Sequence, residues 1–178
     1  MNDDKEMVGI VKDEKTLYNA VDDLWQAGFD FHDISVQGDP EQIQAVMGRS
    51  YVDPTLLADN PRAPRKDPSM PEEFGWILAF SFAIPLFLGM ILGSVFASGI
   101  YQAYFAILEG VLGGAILGAI IGLILAYTIK RRHDNQMQKQ VNQGGFVIWV
   151  RGETDDKLLR AKMILQNDGA YKIHERIK

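Results

Sequence analysis

The sequence predicts an α+β protein: a ferredoxin-like βαβ–βαβ cytoplasmic domain split by an inserted two-helix transmembrane hairpin. Three observations predict it. No charged residue occurs from Phe74 to Leu108, and none from Gly110 to Ile129. A strand–helix–strand pattern precedes this apolar block and recurs after it. Lysine and arginine flank the block on both outer sides and are missing from its middle.

Residues 1–48 make the first half of the soluble domain. "MVGIV" (7–11) reads as a short buried strand. In "DEKTLYNAVDDLWQAG", Leu17, Ala20, Val21, Leu24 and Trp25 recur at helical spacing and Gly28 ends the helix. "DISVQG" (33–38) is a second strand, and Pro40–Met47 a further short helix. Residues 49–73 hold Pro54, Pro61, Pro64, Pro68 and Pro71, five of the seven prolines. That composition predicts a stiff, extended linker.

Residues 74–129 make the hairpin, with spans at about 74–97 and 101–129 and a turn at "SGI" (98–100). Each span approaches or exceeds the roughly 20 apolar residues that cross a hydrocarbon core. Pro85 predicts a kink in the first span. Trp76, Tyr101, Tyr104 and Tyr127 lie near the ends, as an aromatic belt would. Arg62, Arg65 and Lys66 precede the first span, and Lys130, Arg131, Arg132 and Lys139 follow the second. The positive-inside rule then puts both termini in the cytoplasm, with the spans in a bacterial inner membrane.

The second span spaces Gly110, Gly114, Gly118 and Gly122 four apart, and the first carries Gly89, Gly93 and Ala97. Membrane helices associate by close packing, and small residues four apart let backbones approach. The two faces meet within one hairpin or between subunits. A four-glycine row exceeds what one contact needs, so a homo-oligomeric contact is expected as well. Glu109 precedes Lys130 by 21 residues, about 31 Å of helix against a core of about 30 Å. It is either an interfacial acid or, if the helix is shifted, an intramembrane proton or cation site. Other polar residues in the spans are few: Ser81, Ser94, Gln102 and Thr128.

Residues 130–144 form a basic and polar linker, in which Lys130, Arg131 and Arg132 can meet anionic lipid headgroups. Residues 145–178 repeat the first half. "GFVIWVRG" is a strand, Thr154 an N-cap with Asp155 and Asp156 in the first turn, and Leu158, Ala161, Ile164 and Leu165 an apolar stripe. Gly169 caps the helix and "YKIHE" (171–175) is the last strand. Val8 to Gly28 and Trp149 to Gly169 are equal distances along the chain. Two such units can share one sheet, with helices on one face only. On the third strand Val147, Trp149 and Arg151 point one way and Phe146, Ile148 and Val150 the other. Either choice leaves apolar groups on an open face, which suits a protein partner; a core tryptophan at the sheet edge is the alternative.

The run "MVGIVKDEKTLYNAVDDLWQAGFDFHDISVQG" resembles the N-terminal module of the general stress protein 17M / heat-induced stress protein family. The shared features are the short strand, the "AV..L...GF" helix end and "DISV". "GGFVIWVR…A..IL…GA" looks like a companion repeat. The resemblance covers roughly 40 residues; it implies a stress-associated or uncharacterised bacterial membrane protein and carries over no catalytic residue.

The net charge of −5 argues against a nucleic-acid partner. With no cysteine, disulfides and thiolate metal sites are excluded. The acidic start "MNDDKE" and the short apolar run after it do not read as a signal peptide. No phosphate loop, nucleophile elbow or zinc-protease motif occurs. His32–Asp33 and His174–Glu175 look like metal half-sites, but the expected fold puts them on opposite sheet edges, about 14 Å apart. No catalytic residue, metal set or cofactor is therefore expected. The expected protein is non-enzymatic, bound to the lipid bilayer, self-associating, and carries an interaction or sensing domain. A small oligomeric ion or proton conduit using Glu109, or an accessory subunit of a larger membrane complex, are the alternatives.

Overall fold

The computed structural model describes residues 5–68, 71–100 and 104–177. The chain divides into two compact units, Met1–Ser69 with Asn135–Lys178, and Met70–Asp134.

The first unit is an α+β domain on a five-stranded antiparallel sheet of order β3-β2-β4-β1-β5. The strands are β1 (Lys5–Val11), β2 (Ile34–Gln37), β3 (Arg65–Lys66), β4 (Phe146–Arg151) and β5 (Tyr171–Ile177). β1 pairs antiparallel with β4 and with β5, and β2 pairs antiparallel with β4. Hence β1 and β2 run parallel with β4 between them, and β4 and β5 run parallel with β1 between them. The two sequence repeats are interleaved in one sheet. β1 and β4 are central and apolar on both faces, so their runs are hydrophobic without alternation.

Helix α1 (Glu14–Gln26) starts where the Asp13 carboxylate accepts the Thr16 N–H at 2.8 Å. That bond holds the Asp13 carboxyl below its ordinary value. Ala20, Val21 and Leu24 form its buried stripe. Helix α6 (Asp155–Asn167) starts in the same way on Thr154, which accepts the Lys157 N–H at 3.2 Å, and buries Leu158, Ala161 and Leu165. Both helices cover one face of the sheet.

The other face is not open. Helix α2 (Pro40–Met47) follows a capping box of Asp39 and Gln42 and stops at Gly48, whose φ is +72°. Helix α3 (Pro54–Ala58) starts on Asp53, which accepts the Thr55 N–H at 2.8 Å, with Pro54 in the first turn. Ile43, Val52, Leu57, Ala58 and Ala63 pack with Val8, Ile10, Val147 and Trp149 into one core cluster. The connector is thus a folded strap across the sheet and not an extended spacer. Pro54 opens α3 and Pro61 lies in a turn, between apolar residues that are buried on this face. It ends by adding β3 to the sheet beside β2, where Val36 faces Lys66 and Gln37 faces Arg65.

The second unit is built on helix α4 (Pro71–Ile100) and helix α5 (Tyr104–Asn142), α5 passing into the first unit at Asn135. The helix of α4 continues through 98–100, where a turn was expected, and remains helical across Pro85. The expected linker at 130–144 is likewise helical as far as Asn142. Its polar residues favour helix as strongly as the apolar run before them. In the first unit, Gln140 is buried and donates to the carbonyls of Val52 (3.2 Å) and Gly145 (2.7 Å). Gly144 and Gly145 (φ +120° and +108°) then turn the chain into β4; a Cβ on Gly145 would strike the Val11 carbonyl.

Candidate functional site: a small-residue seam and a strapped sheet

In the second unit every predicted packing residue lies on one α4–α5 seam. A Cβ added to Gly89 or Gly93 would strike the carbonyl of Gly114 or Gly110 respectively, and one on Gly114 would strike that of Gly89. A Cβ on Gly110 would meet the Gly93 carbonyl and the Cβ of Ala97. On Gly118 it would lie 2.8 Å from the Leu86 Cα, and on Gly122 2.8 Å from the Phe82 carbonyl oxygen. The contacts step four residues at a time in opposite directions, over about 18 Å of helix. Gly113, by contrast, has nothing within 4 Å. All four glycines of the row are therefore engaged inside one chain. The row is long because the seam is long, and its length no longer argues for a second copy.

Large apolar side chains point away from the seam: Phe87, Leu92, Phe96, Leu117 and Leu123 are each at least 60% exposed. Trp76 stacks on Phe80 with centroids 6.0 Å apart, and Tyr127 is exposed. Tyr101 and Gln102 lie outside the described residues, as does the side chain of Tyr104. The hydroxyls bond back onto their own helices, Ser81 to Ile77 O (2.7 Å), Ser94 to Ile91 O (2.8 Å) and Thr128 to Ile124 O (2.7 Å). They satisfy backbone acceptors and line no polar path. Glu109 is exposed on α5, one residue before the Gly110 contact, and Lys130, Arg131 and Arg132 are exposed near the other end of the apolar run. Both helices, Gly75–Ala97 and Leu108–Asn142, are long and apolar enough to cross a membrane.

In the first unit the predicted contact face is covered. Val147 and Trp149 are 0% and 1% exposed. Trp149 Nε1 donates to the Ala58 carbonyl at 3.3 Å, so α3 fills the place expected for a partner. Arg65 lies over the Trp149 ring, 4.6 Å from its centroid, and forks onto Glu6 at 2.7 and 3.0 Å. Glu6 is 2% exposed, and this paired charge fastens β3 to β1 across the strapped face. Arg151 is half-buried, and among the described residues its Nε has no hydrogen-bond partner. Lys66 pairs with Asp39 at 2.6 Å at the same end of the strap. At the far edge Lys172, His174 and Arg176 on β5 reach Thr55, Asp59 and Ala58.

These strap contacts were missed by sequence reasoning. Glu6 and Arg65 stand 59 positions apart and belong to no motif; Asp53–Pro54, an N-cap residue before a proline, is the local signal that could have shown the connector to fold. His32 lies in a 3-10 turn (Phe31–Asp33) before β2, and His174 lies on β5. β4 and β1 separate these two strands. Among the described residues, no group of three or more His, Asp or Glu could hold a metal ion.

Asp168, at the C-cap of α6, lies close to Asp23 of α1. Partial burial and then the Asp23 charge push its carboxyl up to about 6. Its Oδ2 is buried with no hydrogen-bond partner among the described residues. A groove of about 300 Å³ beside α6 is lined by Lys5, Met7, Asp155, Leu158, Lys162 and Glu175, among others. Lys5 is already paired there with Asp155 (2.9 Å) and Glu175 (3.1 Å), and those bonds raise its pKa.

The chain matches no protein-family model, and comparison with curated proteins and with solved structures gave no match.

Proposed function

We propose that this chain is a non-enzymatic membrane protein in which the α4–α5 hairpin spans the bilayer and holds the α+β domain at its surface. The observation that carries the reading is the inverted build of the hairpin. A helix pair made for water buries its large apolar side chains and exposes polar ones. Here backbone meets backbone at glycine, and Phe, Leu and Ile face outward. Such a pair gains close packing inside and is matched to hydrocarbon outside. The lysine and arginine flanks favour both termini in the cytoplasm of a bacterial cell, with Lys130, Arg131 and Arg132 at the headgroups. Glu109 then belongs at the opposite interface.

The domain is read as ferredoxin-like, supported by the order β2-β4-β1-β5 with two interleaved strand–helix–strand halves; β3 is an added edge. Its role is interaction or sensing, and the resemblance of residues 7–38 to the stress-protein module points toward stress association. Self-association stays within the proposal only through the outward apolar faces, since the glycine row is engaged within the chain.

The chain has no cysteine, so single introduced cysteines report topology without background. Gln102→Cys and Gln166→Cys variants are treated in intact spheroplasts with a membrane-impermeant maleimide. The proposal expects labelling of the first only, and of the second after permeabilisation. Labelling of the second in intact spheroplasts overturns the orientation. Release of the protein by alkaline carbonate overturns the span.

A further inference from the structure

His174 sits in the middle of β5 and faces α3. Its Nδ1 lies 2.9 Å from the Lys172 carbonyl oxygen, and its Nε2 lies 2.8 Å from Asp59 Oδ1. Both neighbours are acceptors. A backbone carbonyl has no proton to give, and neither has an ionised carboxylate. A neutral imidazole carries one N–H and one lone pair, so it can satisfy only one of the two. The other nitrogen would then set its lone pair against an oxygen. Both contacts are made together only by the doubly protonated ring.

The ring is one of three basic groups that alternate along one face of β5 and grip the same short helix. Lys172 Nζ donates to Thr55 Oγ1 at 3.0 Å, and Arg176 Nη1 to the Ala58 carbonyl at 3.1 Å. Lysine and arginine side chains keep their charge across the neutral range, whereas an imidazole does not. Other charges on this face bear on the ring. Asp59, at the C-cap of α3, faces it from the helix, and Lys172 and Arg176 lie on either side of it on its own strand. Asp53, at the start of α3, attracts Lys172. Glu6 on β1 is engaged by Arg65 from β3. Glu175 is the next residue of β5 and is engaged by Lys5, and the groove that these two line with His174 also carries Asp155 and Lys162 of α6.

We propose that His174 and Asp59 form a proton-operated clasp on the strap. With the ring doubly protonated, α3 is held to β5 and covers Val8 and Trp149. When the ring loses a proton its charge pairing with Asp59 is lost whichever nitrogen keeps its hydrogen, and α3 opens more often from the apolar face beneath. The clasp belongs to the soluble unit alone, so it does not depend on the hairpin's spanning a bilayer.

The test uses the full chain in mild detergent micelles. Ring ¹⁵N shifts of His174 are recorded with amide hydrogen exchange across α3, at about pH 5.5 and about pH 8.5, either side of the imidazole range. Exchange is expressed as protection after correction for the intrinsic rate. Both ring nitrogens should be protonated at the lower pH, and α3 protection should fall about fivefold at the higher one, the size of one charged hydrogen bond discounted for exposure. His174→Gln, which keeps a donor but does not titrate, should abolish this pH dependence, and Asp59→Asn should reduce it. The clasp is overturned by α3 protection that is equal at both pH values in the unmodified chain. It is equally overturned by a singly protonated ring at the lower pH, or by the same pH dependence in His174→Gln.

Discussion

Replacing Gly114 by alanine should force α4 and α5 apart, while the same change one residue earlier should not. A Cβ on Gly114 would strike the Gly89 carbonyl oxygen and lie 2.7 Å from its carbon and 3.3 Å from the Gly93 Cα. Carbon atoms rest at about 3.5–4.0 Å, so the backbones must separate by about 1 Å. Rigid overpacking of this kind costs about 1–3 kcal/mol. The neighbouring contacts at Gly110 and Gly118 would loosen with it. Gly113 has open space around it, so alanine there keeps only the gain in helix propensity, up to about 1 kcal/mol. The two variants should differ by about 2–3 kcal/mol although they are adjacent and chemically identical. The assay is equilibrium unfolding in mixed dodecylmaltoside and SDS micelles. It is followed by energy transfer between labels on cysteines placed at the exposed positions Phe80 and Tyr127. Equal midpoints for Gly113→Ala and Gly114→Ala would refute the seam.

Leu57 is fully buried on α3, so Leu57→Ala should destabilise the soluble unit by about 2–5 kcal/mol. A neutral result in denaturant titration would mean that the strap is not part of the core. Arg65→Leu strands the buried Glu6 carboxylate and should cost about 3–5 kcal/mol, with most of the loss recovered in an added Glu6→Gln change. An unrecovered loss would show that Arg65 acts through its stacking on Trp149. The folded Asp168 carboxyl is raised to about 6, above the 3.8 of the unfolded chain. Its contribution to stability is therefore full below about pH 4 and is lost as pH rises through about 6. Unscreened, the shift is worth about 3 kcal/mol, and for a partly exposed group about 1 kcal/mol. Asp168→Asn should stabilise the fold by about that much at pH 7 and hardly at all at pH 4, as read by thermal unfolding at the two values.

The elements set by local pattern were legible in the sequence. Val8 to Gly28 and Trp149 to Gly169 gave two matching strand–helix units, because buried strands, N-caps and terminal glycines are signalled within a few residues. The glycine row was legible for the same reason, since its spacing is the helical period. What it contacts was not, because an intramolecular and an intermolecular seam have the same pattern on one helix. The strap was hidden by its composition. Five prolines read as an extended spacer, yet Pro54 opens a helix, and Leu57 and Val52 find a sheet face that only the folded chain supplies. The pairs Glu6–Arg65 and Asp59–His174 join residues far apart in sequence, and no local signal could have matched them. From the sequence, either face of β4 could have been the open one; the chain covers the face of Val147 and Trp149 with its own connector.

The central claim is that the hairpin lies in hydrocarbon with its small residues inward. It is tested most directly by nitroxide scanning of positions 108–129 in liposomes, comparing collision with oxygen and with a water-soluble nickel chelate. The account predicts high oxygen and low nickel accessibility at Leu112, Ile116, Ile120 and Leu123. Oxygen accessibility should drop at Gly114, Gly118 and Gly122 with helical period, and nickel accessibility should rise only toward Glu109 and beyond Tyr127. High nickel accessibility through the middle of the run, or no periodic difference between the two sets, would contradict it.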